Sequence, residues 1–118
     1  MKAIKLRPFV PSGEDYELAQ RFFKKLGFDC TYSDSGISIF RLAELEFILQ
    51  NYSDQHFQNN YMVDVTVEDL DGWWTHIQSI LDSGEFPSVR AKEPTVFPWG
   101  RREIHLIDPA GVCWHFAE

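Results

Sequence analysis

The feature that most constrains the fold is a pattern of elements that occurs twice in a chain of only 118 residues. In each half, an extended run precedes one amphipathic helix and three more extended runs. The first half predicts a helix at about 15–26 and strands over 3–10, 29–33, 36–42 and 44–50. The second predicts a helix from Glu68 to about residue 82 and strands over 61–67, 88–92, 101–107 and 112–117. A half of about 55–60 residues is too small to be stable alone. We therefore expect one α+β domain of two β-α-β-β-β modules, at about 1–55 and 60–118, whose mixed sheets form a concave cleft.

Local signals set the predicted boundaries of these elements. Ser12 offers a capping hydroxyl before the first helix, and Gly27 ends that helix. Residues 51–60 are polar and rich in amides, which predicts a connecting loop. Pro94 predicts a turn after the strand at 88–92.

The strand at 61–67 indicates where to look for function. Its residues alternate, with Val63, Val65 and Val67 on one face and Met62, Asp64 and Thr66 on the other. The valine face is expected to pack against the core. The other face is only half apolar, so we expect it to line the cleft.

The charge of the chain limits its partners. Its net charge is −7, of which residues 1–59 carry −1 and residues 60–118 carry −6. Such a surface repels nucleic acid and anionic lipid and favours a cationic or neutral ligand near the second half. No apolar run is long enough to span a bilayer. Two cysteines, Cys30 and Cys113, are too few for a disulfide scaffold and predict free thiols in a cytoplasmic protein.

Catalytic and metal motifs are weak in this sequence. Cys113 and His115 share a strand face, but two ligands are half of a structural zinc site. Their spacing also does not favour a nucleophilic pair, because i and i+2 are about 6–7 Å apart along a strand. Glu44 and Glu46 could act as an acid and base pair, although their alternation is more typical of a half-solvated strand. No glycine-rich phosphate loop is present.

Trp99 is the one aromatic residue that periodicity does not assign to the core. It lies between Pro98 and Gly100, so its ring is predicted to be displayed on a turn. Contact with a ligand, packing against a subunit and incidental exposure all remain open for this indole.

The C-terminal stretch resembles the bleomycin resistance proteins. The matching segments are Pro98-Trp-Gly-Arg101, Asp108-Pro-Ala-Gly111 and Cys113-x-His-Phe116. Phe22-Phe-x-x-Leu-Gly-Phe28 and Val67-x-x-Leu-Asp71 are similar to signatures of the wider glyoxalase, bleomycin-resistance and dioxygenase superfamily. The resemblance covers nearly the whole chain and implies the fold of paired β-α-β-β-β modules.

The resemblance also implies where a metal would be held. Enzymes of the superfamily bind a divalent metal through four side chains, and the equivalent positions are Pro8, a position near Glu46, Met62 and His115. Pro8 and Met62 cannot supply the needed ligand atoms, so at most Glu46 and His115 remain. We therefore expect no cofactor and no bound metal. The bleomycin-resistance branch lacks the metal and captures its drug, without catalysis, in crevices between two subunits.

Carried over by position, that branch predicts a ligand site and a dimer. Pro8 matches the hinge about which the first strand is exchanged. Trp99 matches a ligand-stacking tryptophan, Thr31 and Tyr32 match an acidic and an aromatic contact, and Asp64 and Thr66 replace aromatic residues of the cleft. The full predicted ligand-binding set is Trp99, Tyr32, Thr31, Asp64, Thr66, Met62, His115 and Gln50.

The leading hypothesis is a homodimer that sequesters a planar, cationic glycopeptide antibiotic such as bleomycin, or a similar small molecule. A metal-dependent lyase, isomerase or dioxygenase of the same fold is the alternative. A dimeric scaffold without a small ligand is a third possibility.

Overall fold

The computed structural model describes residues 1–118 and contains two four-stranded mixed sheets. The first module comprises β1 (Phe9–Pro11), α1 (Tyr16–Leu26), β2 (Asp29–Ser33), β3 (Ile37–Leu42) and β4 (Leu45–Gln50). A short helix, α2 (Gln55–Asn59), leads to the second module, which comprises β5 (Met62–Thr66), α3 (Leu70–Asp82), β6 (Arg90–Val96), β7 (Arg102–Ile107) and β8 (Cys113–Ala117). The strand orders are β1-β4-β3-β2 and β5-β8-β7-β6. In each sheet the first strand is parallel to the last, and the other pairs are antiparallel. The α+β fold of two β-α-β-β-β modules is therefore confirmed.

The predicted first strand over 3–10 is wrong for most of its length. Strand β1 begins only at Phe9, and its first hydrogen bond runs from the Ile48 N–H to the Pro8 carbonyl, at 2.9 Å. Phe9 is in register with Ile48, so residues before Leu6 would extend past the start of β4 at Leu45. Pro8 also has no N–H to donate to a sheet. Residues 1–8 consequently lie outside the strand, and of these only Pro8 shares a backbone hydrogen bond with β4.

The predicted loop at 51–60 contains α2, and the predicted cap of α1 is wrong. Asp54 caps α2 by accepting a hydrogen bond from the Phe57 N–H, and the side chain of Gln58 is buried beneath this turn. Asp15, and not Ser12, caps α1 by accepting from the Leu18 N–H. Helix α2 was not predicted because no clear apolar period follows Asp54. The cap of α1 was assigned to Ser12 because serine and aspartate are both common at this position.

Strand β6 is longer than predicted. Pro94 lies inside it, between Lys92 and Thr95, where the register with β7 shifts. The outermost strand of the sheet tolerates a proline at such a bulge, because an N–H is not needed there.

An aromatic core joins the two modules. The ring of Phe23 on α1 lies 4.9 Å from that of Phe47 on β4 and 5.3 Å from that of Trp114 on β8. On the second module, Trp73 of α3 stacks on Phe116 of β8 at 5.0 Å. Each sheet thus packs one face into the shared core. The opposite faces remain open, and they carry the residues considered below.

None of the helices is long and apolar enough to cross a membrane.

Candidate functional site

The open face of the second sheet carries a row of polar side chains. The valines of β5 face the core, so Met62, Asp64 and Thr66 point to the other side, as the sequence predicted. Asp64 is in register with His115 of β8, which is in register with His105 of β7. An acid and two imidazoles therefore run side by side across three strands.

The buried carboxylate of Glu103 organises this face. Its side chain is 2% exposed and accepts hydrogen bonds from the Trp99 indole at 2.8 Å, from His105 Nε2 at 2.8 Å and from His115 Nδ1 at 3.2 Å. Arg101 lies 3.6 Å away. Burial alone would raise the pKa of Glu103, but the three hydrogen bonds outweigh it and hold the pKa below its ordinary value. A permanent negative charge is thus held beneath the sheet surface.

A column of rings stands above this carboxylate. Phe97 stacks on Trp99 at 4.9 Å and on His105 at 4.3 Å, with both pairs within about 10° of parallel. The His105 and His115 rings follow at 4.0 Å. The loop at 97–101 holds the column, since the Gly100 N–H donates to the Phe97 carbonyl and Gly100 adopts a φ of 90° that favours glycine.

Trp99 is displayed as predicted, but it is also anchored. The residue is 60% exposed on its turn. Phe97 covers part of it, and the indole N–H is committed to Glu103. The ring is therefore fixed in position and still available for stacking.

Asp64 already has a partner within the chain. Arg101 lies 3.2 Å from its carboxylate, and the side chain of Asp64 is 55% exposed. Asp64 and Thr66 line a cavity of about 450 Å³ between the modules, together with Pro8 and Glu46. A cation that binds Asp64 must therefore compete with Arg101 for its carboxylate.

The predicted residues of the first module lie in another groove. Thr31 and Tyr32 line a wide depression of about 610 Å³ with Lys24. The Tyr32 hydroxyl donates to the Asp34 carboxylate at 2.6 Å, and this bond raises the pKa of Tyr32. Gln50 lies at the end of β4, in register with Pro11 and Ile37.

The structure therefore gathers only part of the predicted set. Trp99 and His115 meet at Glu103, Asp64 and Thr66 share the inter-module cavity, and Thr31 and Tyr32 share the separate groove. Met62 is exposed at the start of β5, and neither it nor Gln50 lines either space. No single cleft within one chain contains all eight residues.

The four metal positions implied by the superfamily do not form a ligand set here. Pro8 and Met62 offer no suitable ligand atom. Glu46 instead accepts from Lys5 at 3.4 Å and from Arg7 at 3.1 Å. Burial alone would raise the pKa of Glu46, but the two cations outweigh it and lower the pKa. Glu46 is therefore a partner of the N-terminal segment.

The acid and base pair considered for Glu44 and Glu46 gains no support. Glu44 lies in the turn before β4, outside the strand on which the pairing was based. The ion pairs of Glu46 with Lys5 and Arg7 also lower its pKa, which makes it a weaker base.

Sequence reasoning missed one cluster. His105, Cys113 and His115 have potential ligand atoms within 4.8 Å of one another. The sequence pattern identified only Cys113 and His115, half of a structural zinc site, and did not include His105. His105 is eight residues from Cys113 and ten from His115 along the chain, and it joins them through the β7–β8 register, which the turn at Asp108–Gly111 sets.

Comparison with known proteins gives structural matches only. No family model and no curated protein matches the chain. A bleomycin-binding protein solved in complex with bleomycin has a TM-score of 0.83 and 20% identity, over 98% of both chains. A bleomycin resistance determinant encoded on transposon Tn5 has a TM-score of 0.80 and 21% identity, also over 98% of both chains.

Another resistance protein has a similar structure at lower identity. A fosfomycin resistance protein from Listeria monocytogenes, solved with Mn(II) and sulfate, has a TM-score of 0.74 and 13% identity, over 99% of this chain and 90% of the other. The modules, their strand orders and these matches together establish that the chain has the glyoxalase, bleomycin-resistance and dioxygenase fold.

Proposed function

We propose that this protein binds and sequesters a planar, cationic small molecule of the bleomycin type, without catalysis. The observation that carries the proposal is Trp99, a 60% exposed indole that Glu103 and Phe97 hold rigid on the open face of the second sheet. A fixed aromatic ring loses little entropy when a flat ligand stacks on it. A positively charged ligand gains further from the ring and from the −6 charge of residues 60–118.

Two other features support the same function. The structural match to a protein solved with bleomycin extends over nearly the whole of both chains. The four superfamily metal positions lack two of their ligands, which argues against the metal-dependent lyase, isomerase or dioxygenase reaction.

The two free thiols fit a reducing compartment such as the cytoplasm.

The ligand site is proposed to be completed in a homodimer. In one chain, Tyr32 and Thr31 lie in a different groove from Asp64 and Thr66. The open face of the first sheet also carries an apolar row, in which Phe9, Ile48, Ile39 and Tyr32 are neighbours on successive strands. Met1, Ile4 and Leu6 are exposed on the segment that precedes β1. Exchange of this segment about Pro8, between two chains, would bury these side chains and bring the two grooves together.

The test is calorimetric titration of the purified protein with metal-free and with copper-loaded bleomycin. Stacking and cation–π contact are worth about 1–3 kcal/mol, so Trp99→Ala should weaken binding roughly ten- to hundredfold. Trp99→Phe keeps a ring but loses the bond to Glu103 that fixes it, so its affinity should lie between those of the parent and Trp99→Ala. Trp74→Phe on α3 is the matched control and should bind like the parent.

Two results would refute the proposal. One is parental affinity in Trp99→Ala, and the other is no binding of either form of bleomycin by the parent. Light scattering checks the assembly separately. A monomer at micromolar concentration would remove the dimer and leave the stacking site to be judged by the titration.

A further inference from the structure

The cluster on the open face of the second sheet has the chemistry of a zinc site. His105 lies on β7, and Cys113 and His115 lie on β8, with their potential ligand atoms within 4.8 Å of one another. Four-coordinate zinc holds nitrogen and sulfur ligands about 3.3–3.7 Å apart. Zinc binding would therefore require side-chain rotations that bring one free nitrogen of each imidazole and the Cys113 sulfur closer together.

Glu103 prepares the two imidazoles for a metal. His105 Nε2 and His115 Nδ1 both lie within hydrogen-bond distance of Glu103 Oε1, at 2.8 Å and 3.2 Å, so each of these nitrogens carries the proton when it donates to the carboxylate. The lone pairs then lie on His105 Nδ1 and His115 Nε2. Metal-binding histidines commonly donate their other N–H to a carboxylate in this way, which fixes the tautomer and the ring orientation. Stacking on Phe97 further restricts the His105 ring.

The surroundings allow a metal to enter. The side chains of His105 and His115 are 24% and 21% exposed, and Cys113 is half-buried beside them. Two imidazoles and one thiolate form a donor set that suits zinc and leaves a fourth position for water or another ligand.

We propose that His105, Cys113 and His115 bind one Zn²⁺ ion, with Glu103 as the positioning residue and the fourth coordination position open to solvent. Binding deprotonates the Cys113 thiol and releases one proton to solvent. His105 and Cys113 lie outside the four superfamily positions. The inference does not rest on the proposed drug binding, and it revises the expectation from sequence that the protein binds no metal.

The experiment uses Co²⁺ as a spectroscopic substitute for Zn²⁺, with chelator-treated full-length protein and no drug present. One equivalent of Co²⁺ should produce visible bands of a four-coordinate ion and a near-ultraviolet thiolate charge-transfer band. Zn²⁺ should then displace it stoichiometrically. Cys113→Ser should lose the charge-transfer band, whereas the matched control Cys30→Ser should retain it.

Variants of His105 and Glu103 distinguish a metal ligand from the residue that positions the ligands. His105→Gln should abolish the four-coordinate spectrum, and the control His76→Gln on α3 should retain it. Glu103→Gln should keep the charge-transfer band but weaken Co²⁺ binding about 10–100-fold. Circular dichroism checks that each variant is folded.

The proposal is overturned if the parent gives no four-coordinate spectrum, or if the spectrum survives both Cys113→Ser and His105→Gln. Loss of the charge-transfer band in Cys30→Ser would also contradict it. Unchanged affinity in Glu103→Gln would remove the positioning role. If Cys113→Ser fails to fold, His105→Gln decides between these outcomes.

Discussion

Replacing Glu103 by Gln tests whether this buried carboxylate stabilises the fold. The substitution keeps the shape of the side chain but removes its charge and one of its two acceptor oxygens. The remaining oxygen can accept from Trp99 or from the imidazoles of His105 and His115, but not from both. An imidazole can accept from the new amide only by changing its tautomer.

The expected loss is that of about one charge-assisted hydrogen bond. Such a bond contributes about 1.5–3 kcal/mol, so we expect Glu103→Gln to lose about 2 kcal/mol of unfolding free energy at neutral pH. For a domain of this size, the loss lowers Tm by roughly 10 °C. The pKa of Glu103 is lowered in the folded state, so its contribution is present above the ordinary glutamate pKa. It is lost as pH falls through the lowered value, and the gap between parent and variant should shrink in acid.

Chemical denaturation at several pH values measures this gap. Glu93→Gln is the matched control, because Glu93 is an exposed residue of the same sheet. It should unfold like the parent. The reasoning is refuted if Glu103→Gln lies within about 0.5 kcal/mol of the parent at neutral pH, or if its deficit persists unchanged in acid.

Two further predictions concern the turn at residues 108–111. Burial raises the pKa of Asp108 to about 6, against hydrogen bonds from Trp114 and three backbone N–H groups. Between these two pKa values the folded state retains a proton that the unfolded state, with a pKa of 3.8, releases. The unfolding free energy of the parent, measured relative to that of Asp108→Asn, should therefore fall by up to about 3 kcal/mol as pH rises from about 4 to about 7. Chemical denaturation of both proteins measures this difference. Gly13 has a φ of 78°, and an added Cβ would lie 3.1 Å from the Ala110 Cα. Gly13→Ala should thus lower the unfolding free energy by about 1–3 kcal/mol. Gly84 has a similar φ of 72°, but no atom lies within 4 Å of a Cβ added there, so Gly84→Ala should lower the unfolding free energy less.

Periodicity predicted most of the fold because each element has an amphipathic or alternating pattern of its own. Strands β2, β7 and β8 lie within a residue of their predicted bounds. The errors arose where structure depends on partners distant in sequence. Residues 3–8 alternate like a strand, yet the register of Phe9 with Ile48 places residues 3–5 beyond the start of β4 at Leu45.

The candidate site was harder to predict, because its central residue has no motif. Glu103 stands in an alternating strand next to two arginines, a pattern typical of a solvent-facing acid. Its burial depends on Trp99 folding back from the preceding turn and on two imidazoles from neighbouring positions in the sheet. Alternation along β7 does indicate that His105 shares a face with Glu103. The position of His105 beside His115, however, follows only from the register between β7 and β8, which the sequence does not show.

The geometry of Glu103 connects the two proposed sites. One oxygen, Oε2, accepts from the Trp99 indole, and the other, Oε1, accepts from both imidazoles. A ligand that stacks on Trp99 and a metal that draws on the histidines therefore act on opposite oxygens of one carboxylate. Because that carboxylate is 2% exposed, water cannot readily replace either set of bonds. Rotation of the carboxylate by one ligand must then alter the hydrogen bonds that orient the other, so the affinities for drug and metal should depend on each other by the same factor in either order of addition.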